Sequence, residues 1–130
     1  MKRIMVAISS QSPRAKALLD AAAQLAAQLH ADWFAVHVRQ RPVLHYRMEM
    51  TEFPVPNNDL EYARSLGARV LIERESSGNV ARTLSALARK LSIGYFVTGR
   101  SLRPRISFTW RLPLTEMIQR QLPDAMVIIV

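Results

Sequence analysis

The sequence of 130 residues contains no cysteine. That removes a disulfide framework, a zinc knuckle and a thiol nucleophile together, and a reducing compartment, the cytoplasm, is the expected location. Glycine is scarce, and none falls in Ser9-Ser10-Gln11-Ser12, so the loop after the first apolar run is not a Walker or dinucleotide phosphate loop. Long hydrophobic runs are missing too. Ile4 to Ile8, behind the basic start Met1-Lys2-Arg3, is too short for a signal peptide or a membrane span. Acids are few, ten against eighteen basic residues. Of them only Glu73 falls at an expected strand end, without a partner, so acid–base catalysis lacks candidates and no enzyme is expected. No spacing of His, Asp and Glu resembles a metal site.

What is present describes one globular unit. The length suits one core and not two, so a single domain over 1–130 is expected, and 49% apolar residues with a mean hydropathy of +0.01 are ordinary for a folded chain. The net charge of +8 comes almost entirely from fifteen arginines beside three lysines. Arginine suits a bidentate grip on phosphate or carboxylate, and drift in a GC-rich genome gives the same enrichment; composition leaves both readings open.

Short apolar runs alternate with amphipathic stretches. Ile4 to Ile8 reads as a central strand. Ser12-Pro13 reads as an N-cap with proline at the first helical position, before a helix to about His30 with Leu18, Ala22, Leu25 and Leu29 on one stripe. Trp33 to Val38 is a second strand, and Pro42 to Asn58 an irregular excursion. A short helix over 59–66 is stopped by Gly67. Ala68 to Glu73 is a third strand, and Val80, Leu84, Leu87 and Leu91 stripe a third helix. Gly94 to Gly99 is a fourth strand, Pro113 opens a last helix with Leu114, Met117, Ile118 and Leu122 inward, and Met126 to Val130 is a fifth strand. The alternation predicts an α/β fold: an open five-stranded parallel sheet with helices on both faces. Such sheets bind ligands beyond the C-terminal strand ends, where the winding reverses.

Two loops are then the candidates. Ser9, Ser10 and Ser12 precede a helix N-terminus, whose free amides and dipole favour an anion. After the fourth strand, Gly99 permits close backbone approach, and Arg100, Ser101, Arg103 and Arg105 offer paired donors to phosphate; the alternative is a solvated basic loop or a contact with an acidic partner. His37, at the end of the second strand, can hydrogen-bond a ligand or be structural, and His30 is expected at a helix C-terminus. Phe108 and Trp110 read as core packing, and no nucleic-acid partner is expected.

Four segments carry a resemblance: Arg3-Ile4-Met5-Val6-Ala7-Ile8-Ser9, the alanine-rich first helix, Phe34-Ala35-Val36-His37-Val38, and Val97-Thr98-Gly99-Arg100-Ser101. Together they resemble the universal stress protein family over essentially the whole chain. Ala31 to Val38 and Gly99 to Arg105 look most like the domain of KdpD-type potassium sensor histidine kinases. The resemblance implies a strand order of 3-2-1-4-5, a non-catalytic signalling role, and a homodimer through the edge strand Met126 to Val130. ATP-binding members carry an acid after the first strand and a Gly-x-x-Gly pattern after the fourth. Here Ser9 replaces the acid, and Leu102, Leu112 and Pro113 interrupt the pattern, which argues against ATP in that mode. Some KdpD-type sensors bind cyclic di-AMP through Ser-x-Ser, twenty residues, then Phe-Thr-Ala-x-Tyr. Ser10, Ser12 and Ala35 match, with Trp33 and His37 replacing the aromatic positions, so the implied ligand is an adenine nucleotide or cyclic di-AMP. The alternative is a docking module of a sensor kinase that takes no small ligand.

Overall fold

A computed structural model describes residues 3–9, 14–39, 43–44, 50–51, 55–75, 80–99 and 114–130. Strand β1 (Arg3–Ala7) is followed by α1 (Ala15–Leu29), β2 (Asp32–Arg39), the two-residue strands β3 (Val43–Leu44) and β4 (Met50–Thr51), α2 (Asn57–Ser65), β5 (Arg69–Arg74), α3 (Val80–Lys90), β6 (Tyr95–Thr98), α4 (Leu114–Gln121) and β7 (Met126–Ile129).

The main sheet has the order β5-β2-β1-β6-β7 with every pair parallel. Counting its five strands along the chain, this is the expected 3-2-1-4-5. Alternate residues of the strands divide between two cores. Ile4, Val6, Trp33, Ala35 and Val97 pack with Ala15, Leu18, Leu19 and Ala22 of α1 and with Leu60 and Ala63 of α2. Met5, Phe34, Val36 and Phe96 pack on the other side with Ala81, Leu84 and Ala88 of α3 and with Ile118 of α4. One helix pair covers each face, which is why β1 and β2 are apolar along nearly their whole length.

The connection from each of the first three helices into its strand is the same device. His30 (φ 51°), Gly67 (φ 99°) and Ser92 (φ 56°) take the left-handed conformation. The next amide then reaches five residues back: Ala31 to the Ala26 carbonyl (2.9 Å), Ala68 to Ala63 (3.1 Å) and Ile93 to Ala88 (2.9 Å). This is the Schellman turn, which satisfies carbonyls that a helix end leaves without partners.

Three local expectations are corrected. The cap of α1 is Arg14, not Ser12: its backbone (φ −125°, ψ 38°) is non-helical, its carbonyl accepts the first helical bond from Leu18, and no side chain caps it. The excursion after Pro42 is not wholly irregular, since Val43 pairs with Thr51 and Leu44 with Met50 in an antiparallel ladder too short to leave an alternating pattern. On α3 the most buried stripe is Ala81, Leu84, Ser85 and Ala88, with Val80, Leu87 and Leu91 at its margin. Small residues let the helix lie close to the sheet, so the large ones sit beside the contact line. The expected helix start at Pro113 lies outside the described residues.

Candidate functional site

The chain winds outward from β1 in both directions. α1 and α2 cover one face on the way to β2 and β5, and α3 and α4 cover the other on the way to β6 and β7. Winding therefore reverses between β1 and β6. In open parallel sheets the crevice that takes a ligand lies beyond the C-terminal strand ends at such a reversal.

Ser9 stands just past the end of β1 and Gly99 just past the end of β6, the two neighbouring strands between which the winding reverses. Gly99 is exposed, and the nearest atom to a Cβ built on it is Leu18 Cδ2 at 4.0 Å, an ordinary contact. Its φ is not positive either. Neither backbone strain nor crowding among the described residues requires a glycine here. Thr98, just before it, is a buried polar residue at the strand end.

His37 is 5% exposed and lies near the C-terminal end of β2. Its Nδ1 is 2.8 Å from the Ile8 carbonyl oxygen. A carbonyl only accepts, so Nδ1 carries a hydrogen and donates it. Trp33 and Ala35 lie further back along the strand. Trp33 stands opposite Ile4 and Ala35 opposite Val6, both buried in the α1-side core. β-Strand alternation puts all three on one face, but only His37 reaches the end of β1. Ser10, Ser12, Arg100, Ser101, Arg103 and Arg105 lie outside the described residues. So the structure brings Ser9, His37 and Gly99 to the strand ends and leaves Trp33 and Ala35 in the core.

Glu73 is opposite Val38 on the edge strand β5, so all of β2 separates it from the crevice. Among the described residues no three His, Asp or Glu side chains converge as a metal site. The partner of His37 was not legible in the sequence, because Ile8 contributes a main-chain carbonyl and its apolar side chain gives no sign of that.

Two further features lie away from the crevice. Between α1 and α2, the Tyr62 hydroxyl donates to Asp20 Oδ1 at 2.6 Å. That hydrogen bond, with slight desolvation and the carboxylate charge, raises the phenol above the usual tyrosine range. Beside α1 runs a groove lined by Gln24, Leu25, Gln28, Val97, Ile128 and Val130. It flanks the edge strand β7, where Met126 and Ile129 are exposed apolar residues, as is Val130 just beyond them.

The described fold is an open parallel α/β sheet with one reversal of winding. Its fold is similar to that of solved universal stress proteins. A universal stress protein family member from Burkholderia pseudomallei is 21% identical, with 99% of this chain and 95% of that chain covered and a TM-score of 0.65. A universal stress protein from Archaeoglobus fulgidus in complex with dAMP is 19% identical, covering 99% and 97% with a TM-score of 0.61. A universal stress protein in complex with cAMP is also 19% identical, covering 99% and 95% with a TM-score of 0.67. No protein-family model matches the sequence, and no curated protein sequence matches it. No described helix is long and apolar enough to cross a membrane.

Proposed function

We propose that the chain is a non-catalytic signalling domain of the universal stress protein family, KdpD-like in its sequence features, that takes an adenine nucleotide or cyclic dinucleotide where the winding reverses. The observation that supports this reading is that Ser9 and Gly99 follow β1 and β6, the neighbouring strands between which the winding reverses. Ser10, Ser12, Arg100, Ser101, Arg103 and Arg105 follow these positions in the sequence and would supply phosphate donors. Two proteins of the same fold, crystallised with dAMP and cAMP, support an adenine ligand. Its expected setting is the cytoplasm.

Calorimetry with dAMP, cAMP, ATP and cyclic di-AMP tests the proposal, together with native mass spectrometry of the purified chain. Saturable binding of one of them, weakened in Arg103→Ala and Ser12→Ala, is the expected result. No binding of any would overturn it.

A docking role has its own support in the edge strand β7, where Met126 and Ile129 are exposed and Val130 just beyond them is exposed too. An uncovered edge with apolar side chains is a template for pairing with another chain. In this reading β7 joins two copies of the chain or seats a segment of a sensor kinase. Sedimentation of the wild type against Ile129→Lys separates a dimer from a monomer.

A further inference from the structure

The histidine at the end of β2 does more than fill the core. The β1–β2 ladder ends with Ala7 opposite Val36, and its last rung is the Ile8 amide donating to the Val36 carbonyl at 2.8 Å. A parallel ladder continued by one step would place His37 opposite Ile8 and bring the Val38 amide to the Ile8 carbonyl. β1 leaves the sheet at this point. The imidazole of His37, the residue that would have stood opposite, takes the carbonyl instead.

The direction of this bond matters. His37 shares its sheet face with Trp33 and Ala35, the face covered by α1. The Ile8 carbonyl is therefore turned toward the α1 layer, the way the chain must go to begin that helix. Ser9 is bonded directly to that carbonyl.

We infer that His37 is a positioning residue: through the main chain of Ile8 it sets where Ser9 stands at the mouth of the crevice. The consequence for ligand binding rests on the function proposed above; the positioning itself does not.

A histidine that only filled volume would be replaceable by a ring of similar size without effect on Ser9, whereas a positioning histidine needs its donor. Phenylalanine keeps a ring and has no donor, and asparagine has an amide N–H close to where Nδ1 lies. Hydrogen exchange on the full-length chain reads the difference. In His37→Phe the Ser9 amide exchanges faster by about tenfold, the scale of losing one buried hydrogen bond, while the Phe96 and Val97 amides of β6 keep their rates. His37→Asn brings the Ser9 rate back toward the wild type. An unchanged Ser9 rate in His37→Phe, or no recovery in His37→Asn, overturns the inference. The wild type gives a check that needs no variant: nitrogen NMR of the His37 ring shows hydrogen on Nδ1, and an Nδ1 without hydrogen would overturn the inference.

Titration with dAMP adds the ligand arm. Affinity falls in His37→Phe and recovers in His37→Asn. If the wild type binds dAMP and His37→Phe binds it equally well, the positioning has no bearing on the site and the inference fails in that respect. If the wild type binds no nucleotide, the proposed function fails while the exchange rates still decide the role of His37.

Discussion

Arg89 of α3 donates from Nη2 to the carbonyl of Gln121, the last residue of α4, at 2.6 Å. One helix thus caps its neighbour across the outer layer. The same logic operates at the end of α3, where Arg3 Nη1 donates to the Leu91 carbonyl at 2.9 Å. Two of the many arginines are therefore used to satisfy helix C-termini, where carbonyls lack partners and a positive charge meets the negative end of the dipole. Replacing Arg89 with alanine should lower stability by about 0.5–1 kcal/mol, since the bond lies at the surface. Urea unfolding measures it, and Arg89→Lys should recover only part of the loss because lysine lacks the planar fork.

Ser85 points the other way energetically. Its side chain is 1% exposed on the sheet side of α3, and its Oγ has no hydrogen-bond partner among the described residues. A buried hydroxyl left unpaired is costly, and alanine is the better helix former. Ser85→Ala should raise stability by roughly 1 kcal/mol, read as a higher urea midpoint at unchanged slope.

His30 occupies a left-handed position at the end of α1, with φ 51°. A side chain is disfavoured in that conformation and glycine is not. His30→Gly should stabilise the chain by up to about 1 kcal/mol, and a loss instead would show that the imidazole makes a contact worth more than the backbone strain.

Gly99 is the position where stability and binding should separate. Since an added Cβ meets nothing closer than 4.0 Å among the described residues, Gly99→Ala should leave the unfolding free energy within about 0.5 kcal/mol of the wild type. A ligand that lies against the backbone here would lose affinity in the same variant. Calorimetry and urea unfolding on one preparation compare the two directly.

The Tyr62–Asp20 contact between α2 and α1 sets a pH expectation. The phenol is raised above the ordinary tyrosine value of 10.0, first by the hydrogen bond to Asp20. A raised value in the folded state means that the neutral phenol stabilises the fold below pH 10 and that this contribution is lost as pH climbs through the higher folded value. Ultraviolet titration of the wild type minus Tyr62→Phe should show one phenol ionising above pH 10, and ionisation below it would contradict the contact.

Most of the sheet was legible because strands buried on both faces read as unbroken apolar runs, as Ile4 to Ile8 and Trp33 to Val38 do. The end of α2 was legible through Gly67, whose lack of a Cβ announces a left-handed turn. The matching turns at His30 and Ser92 carry no such signal, since neither residue type is reserved for that conformation, and only the observed backbone reveals them. The start of α1 misled because Ser12-Pro13 has the right chemistry for a cap, whereas the cap is set by the dihedrals of Arg14. Ser9, His37 and Gly99 were legible as residues at the strand ends nearest the winding reversal. The hydrogen bond that gives His37 its place was hidden, because its acceptor belongs to the main chain of an isoleucine.

β1 is the wall shared by the two cores, with Ile4, Val6 and Ile8 facing one helix layer and Met5 and Ala7 the other. An insertion or deletion of a single residue within Arg3–Ala7 would shift every later side chain of the strand to the opposite compartment. Ile4 and Met5 differ in shape, and the α1 layer accepts the alanines and leucines of a closely packed helix where the α3 layer holds Phe96. Changes of length in this protein are thereby confined to the connections, while the central strand tolerates only substitution.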